Sequence, residues 1–415
     1  MNIHNQQAIR LSCLLALGLS GSAYAVQVAG EALEVYGNVY PEYRVTTFGA
    51  ASTGPLSTLT AGNVVPGVGT GVGTAVSASQ VDWLNSYIGF KGQKSFDAVR
   101  AGFDFQGLVM PDNNKPTSDA FGSARDAFVF IAHQGLGTLQ MGQMDTIYKE
   151  FGERVHLLGT TSGNFTNTRN VMTAPSFKKG AGGTSSNNTG VLSFNTRING
   201  QLRWISPNWS GVEVGVSLRS DPNRTNTQNQ SLTSVGVRWS NATYYAAVTQ
   251  ETHNDYHGVS GTSVAGIYNG AGVASKDTAS KLSLGYKAEK FRIGADLSRL
   301  EYTEAAVAVN KFSRYSNTNW QVTAEYRVTS QVTVGGNYGV NGAGSCDLSA
   351  GSTASCSTDG LGGTMQSLGA RYDYDKNIGF FALLGRFSAN SGAVLGGSEI
   401  GGDVTNAAVG LQVRF

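Results

Sequence analysis

His253 and His257, four residues apart in "HNDYH", have the spacing that would turn two imidazoles toward one metal ion if the stretch were helical. The stretch falls in a polar connection, so it reads as ordinary loop and no metal site is assigned. "GVGTGVGT" at 67–74 is rich in glycine but lacks the G-x-G-x-x-G spacing and the following helix that phosphate cradling requires. His133 and His156 have no nucleophile motif such as G-x-S-x-G nearby, so no catalytic residue and no cofactor are expected. The residues that do recur in a useful pattern are charges in one phase of a period of two. They are Arg44, Arg100, Asp104, Arg203, Glu213, Arg238, Asp296, Glu325, Arg371 and Asp373. Fixed charges in such rows act on passing ions rather than on a bond.

The elements that position them are strands. In "VEVGVSLR", Val212, Val214, Val216 and Leu218 oppose Glu213, Gly215, Ser217 and Arg219, and "AVRAGFDFQG", "KLSLGYK" and "NWQVTAEYR" alternate in the same way. The sequence ends on "NAAVGLQVRF", where Val409, Leu411, Val413 and Phe415 form one greasy face. About sixteen such strands are expected, starting near 33, 85, 97, 125, 137, 197, 211, 232, 243, 280, 291, 317, 331, 366, 378 and 404. "IGFFALLGRF" alternates poorly, and its faces are left unassigned. Short turns near 93–96, 135–136, 207–210, 241–242, 289–290, 328–330 and 375–377 alternate with long polar connections, of which 144–196 is the third.

Residues 1–25 read as a signal peptide, with Arg10, an apolar run from Leu11 to Leu19 and an Ala23-Tyr24-Ala25 ending. Its removal takes 30 basic against 28 acidic residues to 29 against 28, so charge offers nothing to nucleic acid. Cys346 and Cys356 remain, and in an oxidising compartment they are expected to form a disulfide across the seventh long connection. With 55 glycines, 8 prolines and 14% charged residues the chain has no later run long enough for a membrane helix.

Strict alternation of short and long connections puts all short turns on one side. That is the pattern of an all-β transmembrane antiparallel barrel with short periplasmic turns and long extracellular loops, here residues 26–415. Closure satisfies every backbone group without water, so the outer face can meet lipid while the inner face stays polar. Sixteen strands leave an aqueous lumen where eight would be filled by side chains, and charges in the inward phase imply a wet wall. Trp239, Tyr244, Tyr286, Phe291, Tyr372, Tyr374 and Phe415 near strand ends suit interfacial girdles.

The stretches "SYIGFKG" (86–92), "ARDAFVFIAHQGLGTLQMGQMDTIYK" (124–149), "RINGQLRWISPNWSGVEVGVS" (197–217) and "VGLQVRF" (409–415) resemble the trimeric general porins of Gram-negative outer membranes over essentially the whole mature chain. The resemblance implies a homotrimer in outer-membrane lipid, with the third loop folded inward to narrow the pore. It implies that Phe415 closes the barrel beside the first strand and is read by the outer-membrane assembly machinery. Arg197 matches a pore-lining arginine of the family, and Arg197, Asn199, Gln201 and Arg203 share a phase with it. Tyr87 and Gln143 stand where the family often has arginine, and Asn38 where a basic residue is common, so a weaker cationic ladder is expected. Asp145, Glu150 and Glu153, at the start of the inward loop, are candidates for its acidic side.

The function expected is passive diffusion of small hydrophilic solutes and ions. The alternatives are an 18-strand sugar-type channel, for which Tyr36, Tyr40, Phe128 and Phe130 are the only hint of an aromatic track, and a barrel enzyme or adhesin.

Overall fold

The computed structural model describes residues 26–27, 33–49, 54–56, 67–69, 76–83, 86–109, 121–152, 154–159, 194–195, 197–222, 224–226, 229–255, 274–305, 312–353, 358, 362–390 and 403–415. Among these, sixteen strands close into an antiparallel barrel. They are β1 (Glu34–Val39 and Glu42–Phe48), β2 (Val76–Asp82 and Tyr87–Phe96), β3 (Val99–Val109), β4 (Phe121–His133), β5 (Gly137–Asp145), β6 (Arg197–Ile205), β7 (Val212–Arg219) and β8 (Ser231–Ser240). The second half comprises β9 (Tyr244–Asn254), β10 (Ser275–Lys287), β11 (Phe291–Glu304), β12 (Phe312–Arg327), β13 (Val332–Asn341), β14 (Gly363–Asp373), β15 (Ile378–Ala389) and β16 (Asp403–Arg414). All sixteen coincide with expected strands, so the eighteen-strand alternative does not apply.

Each strand pairs with its sequence neighbours, and β16 returns to β1, with Ala408 opposite Arg44 and Val413 opposite Val39. The last bonds of this seam are made by the chain end. Gly37 N donates to Phe415 O at 2.9 Å and Phe415 N donates to Gly37 O at 3.1 Å. The missing side chain at Gly37 leaves the space that the Phe415 ring occupies, 2.5 Å from where a Cβ would stand.

Boundaries differ from expectation in three places. Gln93–Phe96 are strand rather than turn, because β2 and β3 join through the two-residue hairpin Asp97–Ala98, with Phe96 opposite Val99. Asp97 adopts φ 49°, a left-handed conformation that an Asx residue tolerates. β9 runs on through His253, which lies opposite Asp277 and is buried, so the "HNDYH" histidine belongs to the wall and not to a loop. His257 lies outside the described residues. Beyond β13 a short strand, Ser345–Leu348, adds onto the extended end of β12, with Cys346 opposite Tyr315.

The outward phase is apolar and exposed, as Val129, Ile131, Val235, Val237, Leu282, Leu284 and Val409 show. The expected girdle aromatics are all exposed near the short-turn end, where Tyr244 and Tyr286 pair at 5.6 Å and Phe291 and Tyr326 at 4.8 Å. The inward phase carries Ser217, Ser234, Ser283, Gln321 and Thr323, all buried.

β15 explains why its sequence alternates poorly. Phe380, Ala382 and Leu384 face outward, whereas Phe381, Leu383 and Phe387 are buried inside. The inner face is apolar because something apolar lies on it: Phe381 and Leu383 cluster with Tyr40, Ala408, Leu157 and Leu158. Leu157 and Leu158 come from the third long connection, which turns into the barrel after β5. Its described part contains a one-turn helix α1 (Ile147–Glu150) and a 3-10 turn (Leu157–Gly159). The segment lies along the inner wall from β7 to β14, and inward-phase glycines make room for it. Ile147 and Phe151 fill the space over Gly215 and Gly236, Val155 that over Gly294, Leu157 that over Gly335, and Leu158 that over Gly369. Burial of each of these apolar side chains contributes about 1.5–3 kcal/mol before ordering costs.

Two outcomes follow. Gly294→Val places a branched side chain where a Cβ already comes within 2.9 Å of Val155 Cβ. Overpacking of about 1–3 kcal/mol should speed hydrogen exchange at the Tyr148 and Leu158 amides roughly 5- to 150-fold. Unchanged exchange would mean the segment is held by other contacts. Deleting Phe415, or replacing it with Asp, removes the last rung of the seam or places charge at the lipid boundary, at a cost of up to a few kcal/mol. Folded yield, read as heat-modifiable migration, should fall well below that of Val413→Ile; equal yields would refute the seam's importance.

Candidate functional site

The inward segment begins at Asp145, and four cations and four carboxylates meet there. Arg197 Nε donates to Asp126 Oδ1 at 2.6 Å, and its Nη2 lies 3.1 Å from Asp145 Oδ1. Lys149, one helical turn beyond Asp145, reaches the same carboxylate at 3.0 Å. Arg203 donates to Gln140 Oε1 at 2.8 Å and to the Asp145 carbonyl at 2.7 Å, and lies 3.5 Å from Glu150. Arg238 pairs with Glu213 at 2.9 Å and approaches Glu150 at 4.0 Å, with its guanidinium 4.3 Å over the Phe151 ring. Each positive group is matched, so this end of the segment is close to neutral.

Strand register departs from the expected alternation here. Ile198 to Gln201 of β6 spans the same length as Met144 to Gly142 of β5, a bulge with Gly200 at φ +64°. One extra residue breaks the shared phase of Arg197 and Arg203. The two guanidiniums converge on Asp145 nevertheless, one on its carboxylate and the other on its carbonyl. Asp126, Lys149, Glu213 and Arg238 complete the cluster and are not among the site residues expected from the sequence. Arg238 and Glu213 were visible as inward charges, but nothing local shows that Glu150 reaches them.

The far end is held differently. Leu158 sits at φ 55°, ψ 18°, a conformation branched and bulky residues avoid. Its N–H donates to Glu325 Oε1, and its carbonyl accepts from Arg371 Nη1 at 3.1 Å. Between the ends, Ser217 and Ser234 hydroxyls accept from the Ile147 and Tyr148 amides at 3.3 and 2.8 Å, and Tyr245 Oη donates to the Phe151 carbonyl at 2.6 Å. Wall hydroxyls thus satisfy backbone groups that a short helix leaves unpaired.

The remaining candidates are dispersed. Arg44 is 1% exposed and locked between Asp82 at 2.6 Å and Glu42 at 3.4 Å, so it is not the water-facing charge expected of a wet wall. A buried charge requires partners, and here its own strand supplies Glu42 and the neighbouring strand Asp82. Arg100 is exposed near the short turns, 5.8 Å over the Phe130 ring. Tyr87 meets Tyr36 edge-on at 6.0 Å and carries Arg125 over its ring at 4.5 Å. Gln143 donates to the Ala124 and Arg125 carbonyls at 2.5 and 2.9 Å, and Asn38 accepts from Gln412 at 2.6 Å. Tyr36 donates to Asp104, and Tyr40 is buried under Leu157 and Leu158, so these two aromatics do not continue into a track. His253 faces Glu251 at 3.0 Å and stacks on Phe194 at 4.6 Å. Cys346 is disulfide-bonded; Cys356 and Glu153 lie outside the described residues.

Comparison with known proteins agrees with this geometry. A family model described as Gram-negative porin matches residues 11–412. No curated protein matches the chain by sequence. Among solved structures, the anion-selective porin from Comamonas acidovorans is similar in fold, with a TM-score of 0.60 and 14% identity over 92% of this chain and 99% of that one. The in-vitro folded OmpT of Vibrio cholerae gives 0.58 and 11% over 96% and 99%. Salmonella typhi OmpF, in complex with daunomycin, gives 0.58 and 14% over 94% and 100%. A closed sixteen-stranded wall, a third connection seated inside it and a family match along nearly the whole length converge: this chain belongs to the Gram-negative porin family and is an outer-membrane channel for the passive diffusion of small solutes.

Proposed function

We propose that ions and small hydrophilic solutes pass beside the inward segment, and that their charge preference is set by the cluster at its start. The observation that carries this reading is the close matching of Arg197, Arg203, Arg238 and Lys149 with Asp126, Asp145, Glu150 and Glu213 on the inner wall. Fixed charges bias permeation by raising the local concentration of counter-ions, and a balanced set gives a weak bias. Tyr87 and Gln143 in place of further arginines favour the same outcome.

The working form on this reading is a homotrimer of mature chains beginning at Val26, with no catalytic activity. OmpT of Vibrio cholerae, similar in fold, has a trimer form. Phe415 acts as the signal that the assembly machinery reads, consistent with its place at the seam. The disulfide of Cys346 is made with Cys356, stapling the seventh long loop.

Arg197→Ala leaves Asp126 and Asp145 facing each other, so the zero-current reversal potential in a salt gradient should move toward cations, and Arg197→Lys should largely restore it. The lost charge-assisted bonds cost about 1–3 kcal/mol, too little to abolish trimers. An unchanged reversal potential would place the selective point elsewhere. For the disulfide, labelling of the unreduced mature protein with a thiol reagent under denaturing conditions should find no free thiol; two reactive thiols would refute the pairing. Closing this loop stabilises it by roughly 2–3 kcal/mol, which reduction should remove.

A further inference from the structure

Below the inward segment, on the short-turn side, the wall holds a cavity of about 640 Å³ roofed by Leu158 and Gly159. Its charges are not balanced as those at the start of the segment are. Lys287, Lys290, Arg292, Arg327, Arg371 and Arg414 line it against Glu289, Glu325 and Asp373. Arg292 lies 3.4 Å from Glu325, and Arg371 Nε lies 2.6 Å from Asp373. Among the described residues, Lys287, Lys290, Arg327 and Arg414 are in no salt bridge.

Two features hold like charges together at a cost that folding alone does not explain. Lys287 of β10 lies directly opposite Arg292 of β11, a cross-strand placement that destabilises a sheet. Arg371 and Arg414 both donate to one neutral acceptor, Gln412 Oε1, the second at 2.9 Å. Their guanidiniums approach the same point beside Gly159, at 3.8 and 3.7 Å from where a Cβ would stand. Converging guanidiniums and free ammonium groups in a walled cavity match an anion that carries several oxygens and more than one negative charge.

We infer that this vestibule is a binding site for small water-borne polyanions of the phosphate or polycarboxylate class, distinct from the balanced cluster at the start of the segment. The inference rests on the chain being a channel. A dianion is attracted roughly twice as strongly as chloride to the same fixed charges, and screening over about 8 Å at physiological salt confines both attractions to the cavity itself. Because the site lies on one side of the inward segment, it makes the channel asymmetric.

The test uses single channels of the full mature protein in a planar bilayer, in potassium chloride, with inorganic pyrophosphate added to one side and then to the other. An Ala98→Cys biotin tag, recognised by streptavidin, identifies the short-turn side. Pyrophosphate is expected to reduce the current from the short-turn side at concentrations at least about tenfold lower than from the other. The double variant Lys287→Gln, Arg327→Gln should keep its chloride conductance and lose about tenfold in apparent affinity for pyrophosphate. Equal block from both sides in the unmodified protein overturns the site without any variant having to fold, and so does block that the double variant leaves unchanged. Absence of step conductance in chloride alone would overturn the channel reading instead.

Discussion

Closure is the constraint on which the rest of this structure depends. A strand wall in hydrocarbon has no water to satisfy an open edge, so β16 must find β1, and the register they adopt fixes which phase of every other strand faces inward. The seam is made to the last residue, where Gly37 and Phe415 exchange both backbone bonds. Once that register is set, Val409 and Tyr43 face outward, Ala408 and Arg44 inward, and a slip of one residue would exchange lipid and lumen faces along the whole seam.

The interior shows a second dependence, between what the wall omits and what the third connection brings. Glycines at 215, 236, 294, 335 and 369 leave a shallow track along the inner surface, and Ile147, Phe151, Val155, Leu157 and Leu158 lie in it. Hydroxyls and charges at either end give the segment its direction, starting from the Asp145 cluster and finishing under the strained Leu158. The described part of the segment is thereby packed on the wall instead of spanning the lumen unsupported.

Much of the barrel was legible because half-buried strands have a period of two that survives without knowledge of their neighbours, and all the strands but β15 announced themselves in that way. The parts that were not legible share a cause. The inner faces of β15 and of the wall around Tyr302 and Tyr315 are apolar because Leu157, Leu158, Tyr148 and Phe194 cover them, and no window of ten residues contains both partners. The bulge at Ile198–Gln201 breaks a phase that the sequence continues smoothly, and only the opposite strand reveals it. Arg44 read as a water-facing charge because its partner Asp82 is brought beside it by pairing across a long connection. Arg197 and Asp145 were found because family likeness marks their positions; Asp126 was within reach, since it alternates with Phe128 and Phe130 in the inward phase.

The two apolar faces of β15 impose an order on biogenesis. In the finished barrel one face is covered by lipid and the other by the inward segment, but a chain crossing the periplasm has neither. "IGFFALLGRF" then presents a ten-residue stretch with strong strand preference, no proline and a single charge, the composition from which intermolecular β-stacking grows. Lys376 and Arg386 flank its apolar centre as gatekeepers. Both sides of this strand are therefore uncovered until the barrel forms, and its inner side is covered only once residues more than two hundred positions earlier in the chain have turned inward to meet it.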